Sequence, residues 1–426
     1  MRLIYIHQHF TTTDGSSGTR SYEASKAMVA HGHDVTVICG NFEHGVTGID
    51  VPFKGNRRQA MVNGINVVEF DLSYGNRTSF LRRISLFLRF AWLATIELHR
   101  LPRADVVYAT STPVTVAIPA LWAKLRWRVP FVFEVRDLWP EIPIAMGVLK
   151  NRLLIAISKW LVKAAYRHSE YCITLSPGMT TGVLAVDPDT RTVMIPNGSD
   201  TELFTTDYES ALQDLTVRKW LADIGFSSAM LNFVYAGAIG YANHLESLLD
   251  AIKLIDSSLK EKMHFFVIGD GGYRANLEER IAKLSLSESV SIVDPVPKTL
   301  LFQALCAFDA GMLLLRDVPD FREGTSPNKF FDYLAAGLPV LTNFKGWIAN
   351  LLDDSHAGVS CASGSPECLA EAISNFVQKT FEQRVYMRGA SKTLATQFAR
   401  KDIVLKQCDV CEAAALRLTL ESSRWH

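Results

Sequence analysis

Short apolar runs alternate with longer amphipathic stretches along most of the chain. Leu3–Ile6, Asp34–Cys39, Val67–Phe70, Val106–Ala109, Phe131–Val135, Tyr171–Leu175 and Thr192–Ile195 read as strands. Most are apolar at successive positions, as expected of strands covered on both faces. Helical patterns separate them, beginning with Ser21–Ala30 and including the apolar stretch Phe80–Leu98. A second series follows: Asn232–Ala236, His264–Ile268, Val290–Val293, Ala310–Leu315 and Val340–Thr342, then helices to the end. This alternation predicts an α/β protein of two Rossmann-like halves, joined near residues 196–203. Ligands in such sheets bind at the carboxyl ends of the strands, so a cleft between the halves is expected.

The length, 426 residues, accommodates two cores, and 48% hydrophobic with 21% charged residues describes a globular chain. Net charge is zero but unevenly spread. Residues 1–197 hold 22 Lys/Arg against 15 Asp/Glu, and the remainder 22 against 29. From Arg77 to Arg128, nine Lys/Arg face only Glu97 and Asp105. With Trp92 and the run Lys124-Leu-Arg-Trp-Arg128, this favours an anionic partner such as a lipid diphosphate or an anionic membrane surface. Nothing in the pattern calls for a nucleic acid. Seven scattered cysteines form no framework, which fits a reducing cytoplasm, and Cys408-x-x-Cys411 lacks a second pair for a metal site. The apolar run at the N-terminus is too short for a signal peptide, and no spanning helix is predicted.

The densest chemistry lies in Glu323-Gly-Thr-Ser-Pro-Asn-Lys-Phe-Phe-Asp-Tyr-Leu-Ala-Ala-Gly-Leu-Pro-Val340. Ser326 is placed to cap a helix, with Pro327 at its first position, Gly337 at its C-terminus and Pro339 stopping it. Lys329 and Asp332 share a face. A helix start with a lysine suits a phosphate, and an acid one turn deeper can accept both hydrogen bonds of a ribose diol. Together they point to a nucleotide sugar. The early Gly-rich loop, by contrast, is no dinucleotide fingerprint. Gly15 and Gly18 come late after the first strand, and the second strand ends Cys39-Gly-Asn41 without an acid.

Ser326-Pro-Asn-Lys-Phe-Phe-Asp-Tyr-Leu-Ala-Ala-Gly-Leu-Pro-Val340 resembles the donor motif of family 4 glycosyltransferases with the GT-B fold, closest to the branch that builds bacterial surface polysaccharide or O-antigen. The resemblance implies an N-terminal acceptor-binding domain over 1–196 and a donor-binding domain over 197–404. It further implies a C-terminal helix, about 405–426, packing back on the first domain. The parallel sheets of the two domains would face the cleft. It implies donor contacts from Gly15, Ser17, Gly18 and Arg20, from Gly237 and Gly240, and from Ser326, Asn328, Lys329 and Asp332. Relatives place Arg or Lys in the loop that is here Gly237-Ala-Ile-Gly-Tyr-Ala-Asn-His244; Tyr241 and His244 stand there instead. The burden then shifts to Lys329, with Arg316 and Arg322 in reserve. Glu134-Val-Arg-Asp-Leu-Trp-Pro-Glu141 is similar to the acceptor-side segment, with Arg136 where many members carry histidine. Arg136 would hold an acceptor phosphate and Asp137 the attacking hydroxyl. The first glutamate of the family's usual pair falls on Gly324, which makes Glu323 its candidate.

The expected activity is retaining, metal-independent transfer of a hexosyl or N-acetylhexosaminyl group, with no cofactor. The donor is a nucleotide sugar, UDP favoured, and the acceptor a lipid-diphosphate-linked saccharide. The enzyme is expected in the cytoplasm, peripheral on the inner face of the membrane. Two other classes fit the same fold: a sugar-nucleotide epimerase, and a catalytically silent scaffold of a polysaccharide assembly complex.

Overall fold

The computed structural model describes residues 1–426 apart from 16, 17, 44, 74, 76, 77, 79, 146, 148, 205–207, 317, 419 and 421–426. The chain divides into two compact units. Unit 1 comprises Met1–Pro196 and returns from Lys401 onward; unit 2 is Asn197–Arg400.

Unit 1 is built on eight strands: β1 Arg2–Ile6, β2 Asp34–Gly40, β3 Arg57–Val62, β4 Ile65–Phe70, β5 Val106–Thr110, β6 Phe131–Val135, β7 Tyr171–Thr174 and β8 Thr192–Met194. Their order is β3-β4-β2-β1-β5-β6-β7-β8. All neighbours are parallel except β3, which runs antiparallel to β4 at the edge. That hairpin strand departs from the expected parallel sheet. Its sequence, Arg-Arg-Gln-Ala-Met-Val, hides only Val62, so it carries no continuous apolar run.

The helices α1 Arg20–Ala30, α2 Phe80–Arg100, α3 Ala117–Trp127 and α4 Arg152–His168 pack on this sheet. Side chains alternate across a strand. Along β6, Phe131, Phe133 and Val135 join the core formed with α2, α3 and α4, where Phe90, Ala120 and Val162 are buried. Glu134 emerges on the other face.

Unit 2 carries β9 Leu231–Ala236, β10 Met263–Ile268, β11 Val290–Val293, β12 Ala310–Leu313, β13 Val340–Thr342 and β14 Gly358–Ser360, ordered β11-β10-β9-β12-β13-β14 and parallel throughout. Its helices include α5 Leu245–Leu254, α6 Pro319–Gly324, α7 Asn328–Ala335, α8 Pro366–Val377 and α9 Phe381–Thr396. Phe233, Phe265, Leu248, Ile252, Ile373 and Phe376 lie at the centre of its core.

The last helix, α10 Arg400–Leu416, is almost wholly in unit 1. It starts before the expected span of about 405–426, of which residues 419 and 421–426 lie outside the described residues. Gln407 donates from Nε2 to the Tyr108 hydroxyl (2.9 Å) and to Glu134 Oε1 (3.1 Å). Among the described residues no helix is long and apolar enough to cross a membrane.

Candidate functional site

In unit 2 the strand order reverses between β9 and β12, which opens a crevice at their carboxyl ends. The loops after β9 and β10 continue side by side beyond the strands. Gly237 N–H donates to Ile268 O and Ile239 N–H to Asp270 O, both at 2.9 Å. The approach is so close that a Cβ on Gly269 (φ +158°) would lie 1.9 Å from the Gly237 carbonyl oxygen. Only glycine fits there.

Helix α7 is fixed above this floor. Phe330, Phe331 and Leu334 are buried, and the Tyr333 hydroxyl accepts the Ala236 N–H at 2.7 Å. Its C-terminus closes as expected. Gly337 sits at φ +70°, its N–H donates to Leu334 O, and the Leu338 N–H donates to Tyr333 O. Its N-terminus differs from expectation. The helix begins at Asn328, Pro327 precedes it, and the cap position makes no side-chain hydrogen bond. Ser326 instead is buried, and its Oγ accepts the Asn197 N–H at 3.1 Å. The hydroxyl that would have capped the helix ties down the start of unit 2.

This docking turns Lys329 back over β9. Its Nζ lies 3.8 Å from the centroid of the Tyr235 ring and donates to Asn243 Oδ1 at 3.4 Å. It is close enough to Gly237 that a Cβ there would be 3.1 Å away. Among the described residues no carboxylate forms an ion pair with it. Burial lowers the ammonium from its ordinary value to about 7, an effect tempered because part of the side chain keeps its surface. Arg316, just past β12, stacks its guanidinium 3.8 Å from the centroid of the Tyr241 ring and donates from Nε to the Tyr241 carbonyl at 3.3 Å. A loop with no cation of its own, Gly237 to His244, is thus met by two cations from elsewhere. Gly240 precedes the short turn Tyr241–Asn243 in it.

Asp332, one turn below Lys329, accepts from Ser199 Oγ at 3.0 Å through Oδ1. Burial raises its carboxyl to about 6, against the lowering charges of Arg400 and Lys298. Asn328 is half-buried at the first turn of α7. Arg322 and Glu323 are exposed on α6.

In unit 1 the reversal falls between β1 and β5, and a second cluster gathers there. His7 Nδ1 is 2.8 Å from Ser21 Oγ, and Arg136 Nη1 is 3.4 Å from His7 Nε2. Burial first, and then the Arg136 charge, push His7 well below its usual value, so its ring is neutral. With Nε2 accepting from Arg136, Nδ1 carries the proton toward Ser21. His9, held at about 4 chiefly by burial, faces the Thr112 carbonyl at 3.0 Å. Thr112 Oγ1 donates to Asp137 Oδ2 at 2.6 Å. Burial raises Asp137 despite this bond and Arg136. The structure therefore brings Arg136 and Asp137 together with two histidines and a threonine at the ends of β1, β5 and β6.

One expected ligand lies elsewhere. Arg20 is 3% exposed and committed to the core. Its Nε donates to Glu134 Oε1 at 2.8 Å, and its Nη1 and Nη2 donate to the carbonyls of Pro196 (2.7 Å) and Ile195 (2.9 Å). Burial opposes its charge, but Glu134 together with Tyr108 and Tyr5 more than compensates. It is a brace inside unit 1 rather than a phosphate ligand. Gly15 and Gly18 flank Ser17, which lies outside the described residues; the Gly15 N–H donates to Thr12 O at 3.2 Å.

Comparison with known proteins fits this two-unit arrangement. Residues 15–198 match a glycosyl transferase 4-like domain, and residues 231–379 match the glycosyl transferases group 1. The chain is a family 4 glycosyltransferase of GT-B type. Among solved structures, this glycosyltransferase is similar to sucrose-phosphate synthase (tll1590) from Thermosynechococcus elongatus, with a TM-score of 0.73, 15% identity, and 98% and 99% of the two chains covered. It is similar to Anabaena Alr3699/HepE in complex with UDP and glucose, with a TM-score of 0.67, 16% identity, and 97% and 100% covered. It is also similar to WaaG, a glycosyltransferase involved in lipopolysaccharide biosynthesis, with a TM-score of 0.67, 16% identity, and 96% and 99% covered. No curated protein matches it in sequence. The first matched segment ends two residues into unit 2, and the second contains β9, α7, Lys329 and Arg316.

Sequence reasoning missed several partners of the glycosyltransferase site. Asn243 and Ser199 were in view inside recognised loops, but no spacing rule links them to Lys329 or Asp332. Tyr235 reads as an ordinary strand aromatic. Nothing local marks His7, whose proximity to Arg136 comes only from the neighbouring strands. Among the described residues no group of three or more His, Cys, Asp or Glu is placed to hold a metal ion.

Proposed function

We propose that the enzyme transfers a hexosyl or N-acetylhexosaminyl group, with retention of anomeric configuration and without a metal, from a UDP-sugar to a lipid-diphosphate-linked saccharide. The reaction belongs to surface polysaccharide or O-antigen synthesis at the cytoplasmic face of the membrane. The observation that carries the reading is Lys329: a lysine with no acidic partner among the described residues, held over the glycine floor at the sheet's switch point. A half-buried cation left in this state is stabilised by an anion, and a diphosphate supplies one. The free N–H groups at the start of α7, near Asn328, add to it. Arg316 is the second cation, and Gly237 and Gly240 let the phosphates approach the backbone. Asp332 takes the ribose diol. Gly15, Ser17, Gly18 and Ser326 remain donor contacts by resemblance alone, Arg322 a reserve cation for the diphosphate, and Glu323 a candidate catalytic acid.

In the proposed step an acceptor hydroxyl oxygen bonds to the anomeric carbon as the bond from that carbon to the diphosphate oxygen breaks. The acceptor proton passes to the departing phosphate oxygen on the same face. Lys329 and Arg316 stabilise the charge that develops there. Arg136 holds an acceptor phosphate, and Asp137, aligned by Thr112, orients the hydroxyl. UDP is favoured because a structure of similar fold is described with UDP and glucose, and the polysaccharide role because another serves lipopolysaccharide biosynthesis. The acceptor is the less constrained half, since a sucrose-phosphate synthase shares the fold.

Calorimetry with UDP, GDP and NAD tests the donor assignment. Binding of UDP and none of NAD is expected. Absence of any nucleoside diphosphate binding would overturn the reading and return the scaffold alternative. A nucleotide-sugar panel with a lipid-linked acceptor, read by mass, then tests transfer. Donor epimerised without transfer would assign an isomerase.

A further inference from the structure

The helices α2, α3 and α4 bury one side against the sheet of unit 1, and each leaves an apolar stripe outside. On α2 the stripe is Leu88 and Trp92, four residues apart and 51% and 66% exposed. On α3 it is Ile118, Trp122 and Leu125, at i, i+4 and i+7, with Leu125 73% exposed. On α4 it is Leu153, Ile157 and Trp160 at the same spacing, with Trp160 69% exposed. These intervals hold each stripe on one helix face. The helices are neighbours in space, because side chains of all three fill the same core. Three exposed tryptophans and five exposed aliphatics on adjoining helices exceed the scattered apolar residues of an ordinary surface.

The exposed charge on the three helices themselves has one sign, although Lys124 of α3 is paired with Glu170. Helix α4 contains no Asp or Glu, while Arg152, Lys159, Lys163 and Arg167 recur at intervals of seven, four and four, along the flank of its stripe, and all are exposed. On α2, Arg82 and Arg89 are exposed seven residues apart, and its one acid, Glu97, is buried in ion pairs with Arg57 and Arg100. Arg126 and Arg128 are exposed at the end of α3. Tryptophan and leucine on one side of a helix with lysine and arginine beside them is the composition of a segment lying in a bilayer interface.

We infer that α2, α3 and α4 form a docking face that seats unit 1 on an anionic phospholipid bilayer, with the tryptophans in the headgroup boundary and the basic flanks on the lipid phosphates. A protein partner or a second copy would cover apolar area equally well. The excess of positive charge selects the anionic lipid surface, since a two-fold copy would set basic flank against basic flank. The inference deepens the lipid-linked acceptor reading by naming where the membrane lies on this chain. It assigns α4, which charge along the sequence alone did not single out.

The test is flotation of the full-length protein with vesicles of phosphatidylcholine alone and of phosphatidylcholine with phosphatidylglycerol. Binding to the anionic vesicles, little binding to the neutral ones, and release by salt are expected. Lys159→Glu/Lys163→Glu and Trp92→Ser/Trp160→Ser should each lower partition by roughly tenfold or more. All four positions are exposed and outside the proposed site, so UDP affinity serves as the folding control and should not move. Equal binding to neutral vesicles, no binding to anionic ones, or full binding by both variants would overturn the inference. So would a wild-type dimer that the tryptophan variant dissociates, which would give the face to a second copy. Loss of UDP binding in the wild type would instead strike the donor reading and leave the vesicle result standing.

Discussion

Lys329 illustrates how one residue is identified by sequence and given its chemistry by structure. Its place on a helix start was legible, but its state was not, because depression to about 7 arises from burial beside Tyr235 and Gly237. At pH 8 a group titrating near 7 is charged in about one molecule in ten, and a bound diphosphate raises its proton affinity. UDP binding is therefore expected to take up a proton between pH 7 and 8 and to weaken by up to about tenfold per unit as pH rises. Calorimetry in buffers of different ionisation heat measures both, and Lys329→Ala should abolish the uptake and cost about 1–3 kcal/mol of affinity. Asp332 makes the complementary case. Its folded-state value, about 6, lies above the ordinary aspartate value, so its contribution is present in full at low pH and is lost as pH rises through 6. Asp332→Asn should therefore raise the Tm at pH 8, where the buried charge costs at most about 3 kcal/mol and less for a group that keeps some surface, but not at pH 4. The same variant should bind UDP more weakly, a divergence that a purely structural acid would not show. Arg20 marks the limit of reading residues singly. A basic residue at the end of a Gly-rich loop looks like a ligand, and nothing local announces that Glu134, more than a hundred positions away, will claim it.

At the scale of elements, strands buried on both faces were readable: Phe131–Val135 and Val340–Thr342 fall where their composition places them. The strands that escaped are those without such burial. Strand β3 lies at an edge with alternating exposure, and β14 is three half-buried residues beginning with glycine. Both owe their pairing to a partner strand rather than to their own pattern. The helix carrying the site was legible through its two phenylalanines and Gly337, yet its start was misread. Serine before proline is a good cap in isolation, but Asn197 competes for the same hydroxyl. What seats α7 is a contact no local rule contains. The Tyr333 ring packs against Gly311 of β12, where a Cβ would come within 2.5 Å of the ring. Gly311→Ala is thus expected to push α7 off the sheet and cost about 1–3 kcal/mol in a denaturant midpoint. Because Lys329 rides on that helix, UDP affinity should fall in parallel although position 311 touches no ligand. Unchanged affinity with lowered stability would show that Lys329 does not depend on the seating of α7.

For the molecule as a whole, two series of alternating strands and helices were enough to expect two Rossmann-like halves, and the break between Pro196 and Asn197 lies within the predicted joint. The return of the chain to unit 1 was not derivable from pattern; only the family resemblance implied it. Its physical basis is on α10. Ile403, Val404, Val410 and Cys411 are buried there, and Gln407 reaches Tyr108 and Glu134 beneath the sheet. Glu134 also holds Arg20, whose other nitrogens bind the carbonyls of Ile195 and Pro196. A single buried carboxylate therefore joins α1, β6 and α10 of unit 1 with the last residues before unit 2. A chain ending at Arg400 would lose that packing. Burying Ile403, Val404 and Val410 alone is worth roughly 5–9 kcal/mol, comparable with the 5–15 kcal/mol that stabilises a typical domain. Removal of Gln407 would also withdraw hydrogen bonds from Glu134 and Tyr108 in the interior. Residues 1–400 are accordingly expected to show a low-temperature unfolding step that the full chain lacks. Hydrogen exchange should report it as lost protection in β5 and β6, while β9 and β10, whose hydrogen bonds lie wholly within unit 2, keep theirs. Equal protection of all four strands in the truncated chain would mean that unit 1 is complete without its returning helix.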